Sequence, residues 1–324
     1  MLRTRFTDLV GCSLPLQLAA MPGVGTPELV AAVADAGGLA MIGLPLVPTA
    51  LVAETLDELA RRSRGAIGMN FLMPFFDREV LDVAATRARV IEFFYGDPDR
   101  ELVRDARAGG ALVSWQVGSP EEARAAVDAG CDLVVAQGDE AGGHVRGDLG
   151  LLLTLARVLD AVDVPVIAAG GIGDARQVAA ALAAGASAVR VGTRFIAASE
   201  SGAHPEYVRA VLAASAEDST LTRAFAVGWD APHRVLRSCI DAAQAFPADL
   251  VGEVNWGGTT IPVARFSVFS PDVDTSGEIA AMALYAGRSV DAVREVKPAR
   301  DIVAELIGGA EALLRAAAST IGAR

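Results

Sequence analysis

The sequence runs to 324 residues, 52% of them hydrophobic, which suits one large α/β domain or a barrel with a smaller appendage and requires no staple to hold the core. Lys and Arg number 28 against 40 Asp and Glu, a formal charge of -12, and this argues against a nucleic-acid partner. Aromatic residues make up 5%, too few to suggest stacking platforms. Cys12, Cys131 and Cys239 are isolated, with no CxxC pair or Cys/His cluster, so neither zinc nor any other metal nor a disulfide framework is expected. Reduced thiols point to a cytoplasmic location. Arg3, Arg5 and Asp8 precede an apolar run too short for a signal sequence, and no apolar segment has membrane length.

From the start to about Arg194, short apolar runs alternate with alanine-rich amphipathic stretches. The expected strands are 16–20, 39–42, 67–71, 90–95, 111–116, 133–137, 166–169 and 188–191. Each is apolar on successive residues, as strands buried on both faces are. Helix starts are marked by Thr26-Pro27-Glu28 and Ser119-Pro120-Glu121-Glu122, the latter also a capping box, and more weakly by Asp174 with Gln177. Helix ends repeat one phrase, Asp35-Ala-Gly37, Arg107-Ala-Gly109, Asp128-Ala-Gly130 and Ala183-Ala-Gly185, where glycine takes the left-handed conformation. Eight alternations in this length favour a closed (βα)8 TIM barrel. An open doubly wound sheet is the alternative.

After about Ile196 the rhythm changes. Residues 204–213 are expected to be helical, and 249–271 mix Gly, Pro, Thr and short apolar pieces. Residues 1–198 are therefore assigned to the barrel, 199–296 to an inserted lid domain after strand eight, and 297–324 to a C-terminal helix that returns to the barrel. That helix, expected at 301–318, would be the barrel's eighth.

Gly23-Val-Gly25-Thr-Pro-Glu28 follows a strand and opens a helix, but Glu28 stands where a dinucleotide fingerprint needs its third glycine. A tight turn before a capped helix is the better reading. Ala168-Ala169-Gly170-Gly171-Ile172-Gly173 and Arg190-Val-Gly192-Thr193 fall after strands seven and eight, where barrels commonly bind phosphate through backbone N–H groups. Thr193 could add a hydroxyl donor. The loop Gly138-Asp139-Glu140-Ala141-Gly142-Gly143-His144 follows strand six on the same face. It sets an imidazole that can exchange protons near neutral pH beside glycines that admit a flat cofactor. Asn70 and Gln116 end strands three and five, where neutral amides can meet a flavin's ring edge. Met21 ends strand one, and Gly96 after Tyr95 would leave room for a substrate. His204 precedes Pro205 and is expected to cap a helix; for His233 a surface position is expected.

These stretches together resemble the nitronate monooxygenase family, which includes flavin-dependent NADH:quinone reductases and FMN-dependent enoyl-acyl-carrier-protein reductases. The similarity rests on Gly68-Met-Asn70-Phe, Gln137-Gly-Asp-Glu-Ala-Gly-Gly-His144, Ile167-Ala-Ala-Gly-Gly-Ile172, Val191-Gly-Thr-Arg-Phe195 and the late Tyr285-Ala-Gly287-Arg-Ser-Val with Val296-Lys-Pro298. It implies FMN at the barrel mouth, with phosphate at Gly171 and Gly192-Thr193. Ala20, Met21, Asn70, Gln116, Gln137, Gly142, Gly143, Ala169 and Gly170 would complete the cofactor site. His144 would be the base that removes a proton from the carbon bearing a nitro group, or a hydrogen-bonding partner for a nitronate. Two departures stand out. Where many relatives carry lysine near the end of strand five this chain has Gln116, which removes a cation from the flavin's neighbourhood, and Asp97 replaces an expected apolar residue and adds negative charge. The resemblance implies oxidation of alkyl nitronates with O2. Its alternatives are an NAD(P)H-dependent reductase of a quinone or enoyl thioester and a flavin-binding protein without turnover. Its partners would be small molecules, with neither nucleic acid nor membrane, and a homo-oligomer is compatible with it.

Overall fold

The computed structural model describes residues 2–256 and 259–322; residue 1, residues 257–258, within the stretch of mixed composition, and residues 323–324, within the segment expected to return to the barrel, lie outside it. Eight parallel strands close into a barrel: Leu16–Leu18, Leu39–Gly43, Ala66–Leu72, Val90–Phe94, Leu112–Val117, Leu133–Gln137, Val166–Ala169 and Ala188–Val191. These are referred to below as strands one to eight. Strand one pairs with strand eight through Gln17 opposite Arg190, which closes the cylinder and excludes the open doubly wound sheet. No dinucleotide crevice remains for Gly23, whose turn leads into the helix Pro27–Asp35 capped by the Thr26 hydroxyl.

Local chemistry accounts for the boundaries. The Ser119 hydroxyl accepts from the Glu122 N–H at 3.2 Å, but the Glu122 carboxylate does not complete the expected box. It accepts instead from the N–H of Gly118 and from the Arg146 side chain. The weaker signal, Asp174 with Gln177, forms the reciprocal box in full. Gly37, Gly130 and Gly185 are left-handed, with φ of 102°, 108° and 107°. In the fourth phrase Gly109 stays helical and the next residue, Gly110, takes that conformation.

The barrel's bottom is dry. Helix Arg5–Val10 inserts Phe6 and Val10 among Leu39, Met41, Val90, Leu133, Val135 and Ile167, a plug that the short N-terminal run did not reveal. Its top is polar: Gln17, Glu92, Ser114 and Arg190 are buried side by side, in a register that sets Asn70 beside Glu92, Glu92 beside Ser114 and Gln17 beside Arg190.

Between strand eight and the last helix stands a smaller unit with its own apolar cluster around Tyr207, Phe225, Val235 and Leu284. The helix Pro205–Ala213 starts as expected, with the His204 imidazole accepting from the Glu206 N–H. The stretch read as irregular contains an antiparallel hairpin, Leu250–Trp256 with Thr259–Ala264. A second small sheet joins Ser219–Thr222 and His233–Leu236 to Gly143–His144, so the loop after strand six is itself a strand of the lid. The helix Ala299–Gly322 packs against Pro27–Asp35 and Ala175–Ala183, the eighth helix's position. Among the described residues no helix is long and apolar enough to cross a membrane.

Candidate active site

At the mouth the strand ends surround a cavity of about 700 Å³. Ala20, Met21, Asn70, Gln116, Gln137, Gly142, Gly143, His144, Ala169, Gly170, Gly171, Gly192 and Thr193 all line it. Residues that sequence reasoning missed line it too, chief among them Arg190 from strand eight and Trp229 and Tyr285 from the lid.

The glycine-rich turn after strand seven holds Gly170 at φ 109° and Gly171 at φ 69°, a path closed to most side chains. A Cβ on Gly171 would meet Glu140 Cβ at 3.1 Å. A side chain there would therefore disturb the loop after strand six as well as any anion. Among the described residues the Gly171 N–H donates to no loop backbone group, so it is open to an anion. Thr193 Oγ1 accepts from the Gly287 N–H at 3.0 Å, which leaves its own proton to donate.

The loop 138–144 is fixed from several sides. Glu140 accepts from the N–H of Leu151, at the start of the helix Leu151–Leu159, and its backbone carbonyl accepts from the N–H of Arg288 at 3.0 Å. Asp139 faces the buried Arg234, whose Nε donates to the Asp139 carbonyl at 2.9 Å. Both carboxylates of the loop are thus structural. Gln137 Nε2 donates to the His144 carbonyl at 2.9 Å, and its Oε1 accepts from the Arg146 N–H. Its amide is committed to the loop. A Cβ on Gly142 would lie 2.5 Å from Gly287 N, so glycine is needed on both sides of this contact. The late stretch 285–289 therefore belongs with the loop and the Thr193 turn as one clamp.

His144 stacks on Trp229, ring centroids 3.7 Å apart and 16° from parallel, with Tyr95 and Phe75 set edge-on to that indole. A few of the aromatic residues, which suggested no platform, do gather here. His144 Nε2 is buried and, among the described residues, has no hydrogen-bond partner, which is uncommon for a buried polar atom. Burial, and after it the charge of nearby His233, lowers the His144 pKa to about 3, so the imidazole is neutral at ordinary pH. His233 is not at the surface as expected but fully buried, its ring 5.4 Å from that of His144. Its Nδ1 faces the Ala231 carbonyl at 2.8 Å, and Nε2 accepts from the Phe225 N–H. Nδ1 therefore carries the proton, and burial lowers this pKa too.

On the floor, Arg190 donates to Gln17, Gln116 and Glu92, and Asn70 Nδ2 donates to Glu92 Oε1 at 2.8 Å. A guanidinium only donates and a carboxylate only accepts. Gln116 must therefore turn its oxygen to Arg190, leaving its NH2 free as a donor. Asn70 must turn its NH2 to Glu92, leaving its oxygen as an acceptor. This donor and acceptor match an imide edge such as a flavin's. Arg190 places a cation beside Gln116 on the cavity floor.

The other departure loses its expected effect. Asp97 is 95% exposed and paired with Arg146 at 2.8 Å, so its charge faces solvent. Gly96 does not leave room for a substrate: a Cβ there would lie 2.7 Å from Met73.

The family model for nitronate monooxygenase matches residues 48–309. A nitronate monooxygenase from Pseudomonas aeruginosa is 36% identical over 270 residues, 67% of this chain and 76% of that one. A (3aS,4S,5R,7aS)-5-hydroxy-7a-methyl-1-oxo-octahydro-1H-indene-4-carboxyl-CoA dehydrogenase from Rhodococcus jostii is 34% identical over 238 residues; the match spans 73% of this chain and 66% of that relative. Among solved structures, FabK from Thermotoga maritima is 30% identical with a TM-score of 0.83, covering 99% of this chain and 100% of that one. A nitroalkane oxidase from Streptomyces ansochromogenes is 30% identical with a TM-score of 0.76, covering 97% and 99%. The fold and site define a TIM-barrel oxidoreductase. The chain belongs to the nitronate monooxygenase family, whose members are flavin-dependent.

The two depressed histidine pKa values predict a pH dependence. Unfolded histidine titrates near 6.5 and folded His144 near 3, so between these values the unfolded chain holds more protons. The stability due to this neutral imidazole is complete above pH 6.5 and declines as pH falls toward 3. Replacing His144 with Gln should flatten the fall in Tm between pH 7 and 4.5 relative to wild type, measured by thermal melts. Parallel curves would contradict the assigned burial.

Proposed function

We propose that this protein is an FMN-dependent nitronate monooxygenase that takes alkyl nitronates already in their anionic form. The observation that carries the proposal is the stacked, neutral His144 with its unpartnered Nε2 in the cavity.

The residues present fit the cofactor. Gly170, Gly171, Gly192 and Thr193 would hold its phosphate, and the orphaned donor of Gln116 and acceptor of Asn70 would meet the ring's imide edge. Ala20, Met21, Ala169, Gly142 and Gly143 would flank it, Gln137 acting through the loop it ties. Bound FMN supplies the electron acceptor that O2 regenerates. No adenosine-binding fingerprint accompanies the phosphate turns, which supports FMN over FAD.

A nitronate has already lost its carbon-bound proton and spreads negative charge over two oxygens. It needs a hydrogen-bond donor and a site from which water is excluded. An imidazole held near pKa 3 is a poor base for a C–H proton, yet it donates one N–H without the cost of burying a charge. His144, braced by Trp229 and fixed through Gln137, is suited to bind and orient the nitronate oxygens. Val227, Val254, Ile261 and Phe269 of the lid line the same cavity and offer an apolar place for the alkyl chain.

That apolar lining also favours a second reading, an NAD(P)H-dependent reductase of an enoyl thioester or a quinone. The likeness to FabK and to the CoA dehydrogenase supports it.

Two measurements test the proposal. Chromophore released from the purified protein should have the mass of FMN; an FAD mass would contradict the phosphate site. Replacing His144 with Ala should lower kcat/KM for a preformed nitronate by about 10- to 100-fold, the worth of a hydrogen bond to a charged group. Wild-type turnover of the neutral nitroalkane should already be slow. Fast nitroalkane turnover lost in the variant would make His144 a base instead, and an unchanged nitronate rate would remove it from the site.

A further inference from the structure

Arg190 is the one cationic side chain among the described residues that line the cavity. It is 8% exposed and bonded on three sides, to Gln17, Gln116 and Glu92. Glu92 is fully buried and does not line the cavity. The ion pair therefore presents its positive end to the cavity and keeps its negative end in the barrel wall. The polarity is enforced from behind, since Asn70 Nδ2 and Gln17 Nε2 both approach Glu92. The floor also carries a pair of amides, Asn70 and Gln116, oriented to receive an imide edge, so a flavin seated on it would bring its pyrimidine end to Arg190 and keep its apolar end away from buried polar groups.

We infer that Arg190 is the group that tunes the cofactor's electron affinity, standing where charge on the N1–C2=O end of the flavin would accumulate. This rests on the FMN reading. Negative charge reaching that end of the ring is stabilised by a guanidinium in a dry site far more than by the same charge in water. A structural role alone would require only that Arg190 and Glu92 neutralise each other, and would leave the ring's electron affinity untouched.

Sulfite provides a probe that needs no turnover. Its sulfur lone pair forms a bond to flavin N5, and the displaced π pair of N5=C4a passes through the ring to N1–C2=O, where it rests as negative charge. Removing Arg190 alone would strand Glu92 without its partner and endanger folding, so the test variant is the neutral pair Glu92→Gln/Arg190→Gln in the flavin-loaded protein. Sulfite should bind this variant at least tenfold more weakly than wild type, followed by loss of the flavin's visible band. Adding Gln116→Lys to the neutral pair should restore most of the affinity, because the charge returns to the same floor. Arg190→Lys should stay within about threefold of wild type. An unchanged sulfite affinity in the neutral pair would overturn the assignment. So would a melted or flavin-free neutral pair accompanied by a tenfold loss in Arg190→Lys, which would make packing rather than charge the cause. Wild-type protein that carries no flavin at all would instead defeat the cofactor reading on which the assignment stands.

Discussion

A carboxylate in the middle of a barrel strand, with no exposed surface, sets the terms for the whole mouth. Burying a carboxylate calls for a cation and hydrogen-bond donors around it, and the strand register supplies both to Glu92. Arg190 comes from strand eight, Asn70 from the neighbouring strand three, and Gln17 from strand one across the closure. Once those partners are fixed, the orientation of Gln116 and Asn70 follows. The barrel is then divided into an apolar lower half, plugged by Phe6 and Val10, and a polar floor under an open cavity. On the proposed function, a flavin would meet Gln116 and Asn70 below and the glycine-rich turns at the side.

The lid completes this arrangement through backbone contacts. Gly143–His144 is hydrogen-bonded into the lid's own sheet opposite Arg234 and His233, and Gly287 packs against Gly142 at a distance no side chain could enter. The residue above the cavity is thereby held by both parts of the chain. A lid displacement would move His144 directly. The same enclosure keeps the imidazole neutral, and a neutral imidazole is better suited to holding an anion than to creating one.

Much of the barrel was legible in the sequence, because strands buried on both faces are continuous apolar runs and parallel units need capped helices between them. The glycine-rich turns at the cavity were legible for a related reason: Gly170-Gly171 after strand seven and Gly192 after strand eight stand at strand ends, where a run of apolar residues stops. What stayed hidden depends on contacts between distant residues. Glu92 and Arg190 each stood inside an apolar run, and a lone charge in such a run signals a buried partner that only the register can name. Trp229 and His233 lie in the lid, where short irregular elements leave no period to follow, so neither the indole under His144 nor the second buried imidazole could be placed. Asp97 misled in the opposite direction, since a loop residue's facing is set by its neighbour, here Arg146.

Anaerobic mixing of the flavin-loaded protein with each donor in turn shows what reduces the cofactor. An alkyl nitronate should bleach the flavin absorbance rapidly in the absence of O2, whereas NADH and NADPH should leave it oxidised on the same timescale. Rapid bleaching by NADH or NADPH, with no response to the nitronate, would contradict the account and make the protein a pyridine-nucleotide-dependent reductase.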